Sequence, residues 1–391
     1  MIRSRDGQEC RVWGTDCLCP IRQGRRSALF GVFVLSPFGS AASTSIRVSD
    51  YSILSLGKMQ ASLLLPSLIR IFVRNKPDTM TEFGFIEAIR TLCADLPRNG
   101  FEGIGDDCAV LPMGAGESLV FTADLLTEGV HFLRAATTPE ELGGKALAVN
   151  LSDVAAMGAC PVATLLSIAL PADATQEWAA RFMTGYHALA ARYGVALIGG
   201  DTTCSQTGIT INVTAIGRAP DGHLKRRSAA AADDVLFVTG RLGASGAGLR
   251  DMLSGTYDTP LAAEHRNPRP QVEEGQWLGA RPEVHAMMDL SDGLASDVCH
   301  IMACSSVGAA IDLDRIPVAE GADLRTAACG GEDYKLLLSA SRDAAGQLAA
   351  DYRNRFGEPL YEVGRIVAGN ALTWRRDGAE VLLDWRGFEH Y

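Results

Sequence analysis

The chain has 391 residues, 47% of them hydrophobic and 21% charged, which is room for two or three domains with a real core. Its formal net charge is −10, which argues against a nucleic-acid binder, whose electrostatic footprint is basic. The ten cysteines follow no framework spacing and predict free thiols, mostly buried, in a reducing cytoplasmic compartment.

Residues 1–79 differ in character from the rest of the chain. They carry 11 Lys and Arg against 5 Asp and Glu, so the remaining 312 residues hold a net −16. Two apolar runs, 28–35 and 63–73, fall short of the roughly 18 residues that span a bilayer, and no membrane contact is expected. Cys10, Cys17 and Cys19 cluster without a fourth ligand nearby, so a zinc site is not favoured. The segment reads as a disordered extension, with Met80 opening the working protein.

From there Phe83, Ile86, Ile89 and Leu92 recur at helical spacing. A strand is predicted over 119–124, a helix over 142–157 with Pro139 at its start, and a strand over 164–170. A helix over 174–193, a strand over 195–199 and a long β-branched strand over 209–217 come next. Turn residues at 219–222 suggest a boundary, giving domains 80–222 and 223–391. The second unit has predicted strands at 235–239, 285–289, 335–339, 361–366 and 380–383. Ser291 is predicted to cap a helix over 294–302. Alternating strands and helices imply an α/β fold whose sheets are parallel or mixed.

Five short Asp-bearing segments stand out: Gly105-Asp106-Asp107, Ala123-Asp124, Asn150-Leu151-Ser152-Asp153, Gly199-Gly200-Asp201 and Asp289-Leu290-Ser291-Asp292-Gly293. Short carboxylates at strand ends beside Gly, Ser or Asn suit a hard cation such as Mg²⁺, which takes oxygen ligands and phosphates. Asn150 and Asp153 share a helix face, where an unpaired buried acid would be costly. Each segment alone is also compatible with an exposed turn, a solvated helix face or ordinary capping. The run Gly243-Ala244-Ser245-Gly246-Ala247-Gly248 has the wrong spacing for a dinucleotide loop, and no Walker A motif is present.

In combination and order, residues from about 81 to 391 resemble the thiamine-monophosphate kinase family, relatives of aminoimidazole ribonucleotide synthetase. The resemblance is carried by the segments 103–110 (Gly-Ile-Gly-Asp-Asp-Cys-Ala-Val), 128–132, 145–159, 197–203, 289–294, 330–334 (Gly-Gly-Glu-Asp-Tyr) and 384–390. It implies two α/β domains, the first pairing across a homodimer, and ATP-dependent phosphorylation of thiamine monophosphate to thiamine diphosphate. It also implies that Asp107, Thr122, Asp124, Asp153, Asp201, Asp289 and Asp292 hold several Mg²⁺ ions. Gly200, Asp201, Arg227 and Ser291 would then contact ATP, and His131, Glu332 and Phe388 the thiamine substrate. Three departures are visible: Ala123 where the family usually has Thr, an altered loop Arg227-Ser-Ala-Ala-Ala-Ala-Asp-Asp234, and no aromatic near Met183.

The chemistry agrees with that implication. Donor and acceptor are both phosphates and repel each other, so catalysis is mostly charge neutralisation and positioning. The acceptor oxygen is already ionised near neutral pH, so direct in-line transfer without a general base is expected. The rivals are another ATP-using relative and a non-catalytic nucleotide-binding protein. A hydrogenase-maturation relative is expected to end in a reactive cysteine, and this chain ends in Tyr391.

Overall fold

The computed structural model describes residues 82–388, so the reading of residues 1–79 lies outside it. Helix α1 (Glu82–Leu92) leads to β1 (Ala109–Gly114), β2 (Glu117–Thr127), α2 (Pro139–Ala156), β3 (Cys160–Pro171), α3 (Gln176–Tyr193), β4 (Ala196–Ser205) and β5 (Thr210–Pro220). The second half comprises β6 (Val235–Val238), α4 (Ala244–Leu253), α5 (Pro260–Arg266), α6 (Val272–Gly279), β7 (Val284–Asp289), α7 (Leu294–Ser305), β8 (Gly308–Asp312) and α8 (Leu324–Cys329). It ends with β9 (Leu336–Ala340), α9 (Ala345–Phe356), β10 (Tyr361–Val367), β11 (Leu372–Arg376) and β12 (Ala379–Val381). Strands β1, β8 and β11 are additions to the predicted elements. Each is short; Gly, Ala and Pro blur the alternation of β1 and β8, and β11 ends in two charged residues.

The first sheet runs β1-β2-β5-β3-β4 and the second β12-β11-β8-β10-β6-β9-β7. Both are mixed. Neighbours are antiparallel except β3 with β4 and β8 with β11. Alternating inward positions of β5, Ile211, Val213 and Ala215, are fully buried, as its β-branched alternation demands.

Helix α2 joins the two layers. It begins with a capping box in which Thr138 and Glu141 satisfy each other's backbone N–H groups, with Pro139 in the first turn. Its residues are buried on nearly every side, because it packs on β2, β5 and α3 and also meets β7 and α6. It crosses α3 at two glycines. A Cβ on Gly143 would strike the Phe182 carbonyl, and one on Gly185 the Glu140 carbonyl. Leu142, Leu147, Leu151, Phe182 and Tyr186 fill that core, where the Tyr186 hydroxyl donates to Thr164 Oγ1 at 2.7 Å. The second sheet has its own core around Leu236, Met288, Val298, Ile311 and Trp374.

The described cysteines are all free, but the expectation of burial fails for most. Only Cys108 is buried, Cys329 is half-buried, and Cys93, Cys160, Cys204, Cys299 and Cys304 are exposed. Small neighbours signal tight local packing without saying which side faces solvent. Among the described residues no helix is long and apolar enough to cross a membrane.

Candidate active site

Three of the five Asp segments converge. Asp107 on the loop before β1, Asp153 near the end of α2 and Asp289 at the end of β7 bring carboxylate oxygens within 4.8 Å of one another. Asp107 and Asp289 are buried and Asp153 half-buried. Each is anchored: Ser152 Oγ donates to Asp289 Oδ2 at 2.6 Å, Thr122 Oγ1 donates to Asp153 Oδ2, and Arg227 Nη2 donates to Asp107 Oδ1 at 2.7 Å. Asp124 lies beside them on β2. Asn150 Oδ1 accepts its backbone N–H at 3.1 Å, so Asn150 fastens the strand to α2 rather than facing water.

The electrostatics follow from burial. Burial, then Asp107, pushes Asp124 up to about 6 and Asp289 up to about 8. Burial, then Asp124, drives Asp153 well above the usual carboxylate range. Clustered acids lifted in this way want either protons or a cation. The donor set is all oxygen, from Asp107, Asp153 and Asp289 with Asp124 and the Thr122 hydroxyl adjacent, which is the set a hard divalent ion selects. The residues therefore fit Mg²⁺.

Asp106 and Asp107 already have a cation. Arg227 N donates to Asp106 Oδ1 at 2.7 Å while its guanidinium grips Asp107, and Arg226 reaches Glu102 at 2.7 Å. The altered loop after Arg227 is tied down despite its alanines. Ser305 Oγ donates to the Arg227 carbonyl at 2.7 Å and accepts from Ala230 N at 3.0 Å, while Asp234 Oδ2 accepts from Ala231 N at 2.9 Å. Nor does Ala123 fall in the site. Side chains alternate along β2, so Thr122 and Asp124 share one face and Ala123 is exposed on the other. The lost hydroxyl does not bear on the ligands.

A cavity of about 610 Å³ opens beside this cluster. Asp124, His131, Arg227, Ser291, Asp292, Glu332 and Phe388 all line it. His131 Nδ1 accepts the Thr127 N–H at 3.0 Å, which leaves the ring proton on Nε2. The segment Asp289–Gly293 is zipped to the segment 330–334, since Glu332 N donates to the Ser291 carbonyl at 2.7 Å and Tyr334 N to the Leu290 carbonyl at 2.9 Å. Phe388 N donates to the Asp292 carbonyl at 2.9 Å, so the chain's last described residue returns to this wall.

Ser291 does not cap α7. Its first-turn acid Asp297 folds back instead, and Oδ2 accepts from Asp292 N at 3.3 Å and Gly293 N at 3.0 Å. Asp292 stands apart from the first three acids and groups with Asp297 and His300. The glycine-rich turn before α4 has its anion already. Asp333 accepts from Gly243 N at 2.5 Å and Ser245 N at 3.1 Å.

Gly200 and Asp201 are elsewhere. They lie on β4, an edge strand whose residues are almost all exposed. Gly200, Leu166, Val213 and Asp124 share one row across the sheet. Three strand spacings, roughly 14 Å, therefore separate Gly200 from Asp124. Gly200 (φ 150°) is required by its own sheet, because a Cβ there would collide with the Leu166 backbone. Lys145 and Asp297 were not among the residues expected to act in the site. Lys145 carried a signal, a lone lysine in an otherwise apolar stretch of helix.

Residues 105–219 match the family model described as AIR synthase related protein, N-terminal domain, and residues 231–375 match its C-terminal domain. The thiamine-monophosphate kinase of Salmonella typhimurium is 38% identical over 304 residues, 74% of this chain and 91% of that protein. The solved structure of AaThiL complexed with AMPPCP and TMP superposes with a TM-score of 0.70 at 29% identity, covering 82% of this chain and 100% of that one. The thiamine-monophosphate kinase of Stenotrophomonas maltophilia K279a gives 0.61 at 38% identity, over 77% and 98%. With both domain models matched and relatives of this identity aligned over nearly their whole length, the chain belongs to the AIR synthase related family and, within it, to the thiamine-monophosphate kinases.

Proposed function

We propose that the cavity binds ATP and thiamine monophosphate together and transfers the γ-phosphoryl group to the acceptor phosphate, giving thiamine diphosphate and ADP. The observation that carries this reading is the convergence of Asp107, Asp153 and Asp289 next to a cavity lined by Asp124, His131, Glu332 and Phe388. An acceptor phosphate oxygen attacks the γ-phosphorus in line as the bond to the β–γ bridging oxygen breaks. No base is needed, since that oxygen carries no proton near neutral pH. Asp107, Asp153, Asp289, Asp124 and Thr122 would hold Mg²⁺, as would Asp292 in the cavity lining, and the metal would supply positive charge to offset the repulsion of the two anions. Arg227 and Ser291 line the cavity and would meet ATP there. His131, Glu332 and Phe388 also line it and would hold the thiamine, the Phe388 ring by stacking.

Gly200 and Asp201 can serve ATP only if another subunit brings β4 to the site. The reading therefore includes a homodimer joined at that edge, where Leu197 and Ile198 are exposed. The test is incubation of the purified full chain with ATP, Mg²⁺ and thiamine monophosphate, with thiamine diphosphate measured chromatographically. A folded protein that forms none would sink the proposal.

A further inference from the structure

Lys145 lies two turns before Ser152 on α2 and is 1% exposed. An ammonium that deep is costly unless its hydrogens are engaged. Its Nζ donates to the His131 carbonyl at 2.9 Å and to Glu332 Oε2 at 3.1 Å. His131 comes after β2 of the first sheet, and Glu332 precedes β9 of the second. Both line the cavity, and Lys145 does not.

Glu332 is not placed by local preference. Its backbone is left-handed (φ 64°), a conformation glutamate seldom adopts. His265 Nδ1 stands 3.3 Å from the same Oε2 and 2.9 Å from Ser245 Oγ. Burial, reinforced by the Lys145 charge, lowers His265 to about 4, so it is neutral at pH 7. Among the described residues, Lys145 is then the one full positive charge paired with Glu332.

We propose that Lys145 is a positioning residue for the acceptor: one ammonium ties His131 to Glu332 across the two halves and fixes the spacing between the groups that hold thiamine monophosphate. The inference rests on the reading of this cavity as a thiamine-monophosphate kinase site. An ammonium suits the task because it is a compact donor with three hydrogens, whereas a guanidinium is a planar fork.

The test is steady-state kinetics on the full chain, with KM for thiamine monophosphate and for ATP measured separately. The proteins are the parent, Lys145→Met, Glu332→Gln and the double variant. We expect Lys145→Met to raise the thiamine monophosphate KM by about tenfold or more, the scale of a lost hydrogen bond to a charged group. The ATP KM should stay within about twofold, and the double variant within about twofold of the worse single one, as groups acting as a unit require. Equal rises in both KM values, or effects that multiply in the double variant, would overturn the proposal. If Lys145→Met does not fold, Lys145→Arg decides. A raised thiamine monophosphate KM with the parent's Tm supports positioning, and a parent-like KM refutes it. A parent that makes no thiamine diphosphate refutes the functional reading itself, which separates the two failures.

Discussion

Asp153 concentrates the chemistry of single residues. It was legible as a polar interruption in an apolar helix, and the structure shows that its neighbours are two other acids and a threonine hydroxyl. Replacing it by Asn keeps the shape and the Thr122 partner but removes the charge that would hold a cation. We expect Asp153→Asn to lower kcat by about 10²–10³-fold, the scale of losing one electrostatic element of a transition state. Its Tm should be equal to or above the parent's, since a crowded buried acid has gone. Turnover within a few-fold of the parent would remove its role. Other residues could not be read from composition or spacing. Asp106 and Asp107 read as neighbouring carboxylates suited to a metal, yet Arg226 and Arg227, about 120 positions away, also pair with them. Ser291 looked like a cap because it precedes a helix by three residues, but Asp297, inside the first turn, does that work through its longer reach back.

Elements were easier. Long periodic stretches such as β5 and α3 are legible to within a few residues, because burial on one face writes a regular pattern. The short strands β8 and β11 owe their state to sheet partners distant in sequence, which no local window contains, whereas β1 pairs only with β2 across a tight hairpin. The α2–α3 crossing is a further case, since Gly143 and Gly185 gave no sign of facing each other's helix. Gly185→Ala would put a methyl group into the Glu140 carbonyl, and overpacking of this kind costs about 1–3 kcal/mol. We expect a lower denaturation midpoint in urea with an unchanged slope, and an unchanged midpoint would show that the helices can part freely.

At the scale of the whole molecule, the buried acids tie stability to pH. Asp124 at about 6 and Asp289 at about 8 sit above the ordinary 3.8. As pH rises from roughly 4 to 8, the unfolded chain releases these protons before the folded one, so metal-free stability falls across that window. A divalent ion replaces the protons, and its hold strengthens as pH rises. Tm in EDTA should therefore fall between about pH 6 and pH 8.5, and added Mg²⁺ should raise Tm more at the higher pH. An equal Mg²⁺ effect at both would point away from these acids. Assembly belongs to the same scale. Ile198 is 59% exposed on the free edge of β4. If the proposed homodimer joins at this edge, Ile198→Lys should lower the sedimentation coefficient and reduce turnover, and a parent-like coefficient would count against that contact.

Helix α2 carries Lys145, which holds two cavity-lining residues, and further on Ser152 and Asp153, which belong to the acid cluster, while its back closes the first sheet. It works as a phase ruler between these two sets of contacts. Substitutions along it change single contacts, but adding or deleting one residue between Lys145 and Ser152 would rotate everything downstream by about 100°. Ser152 and Asp153 would then leave Asp289 and Thr122 while Lys145 kept its partners. The length of this helix is thus under a stricter constraint than its composition, whereas the hairpin turn at Gly114–Gly116, remote from the cavity wall, can change length without disturbing that phase.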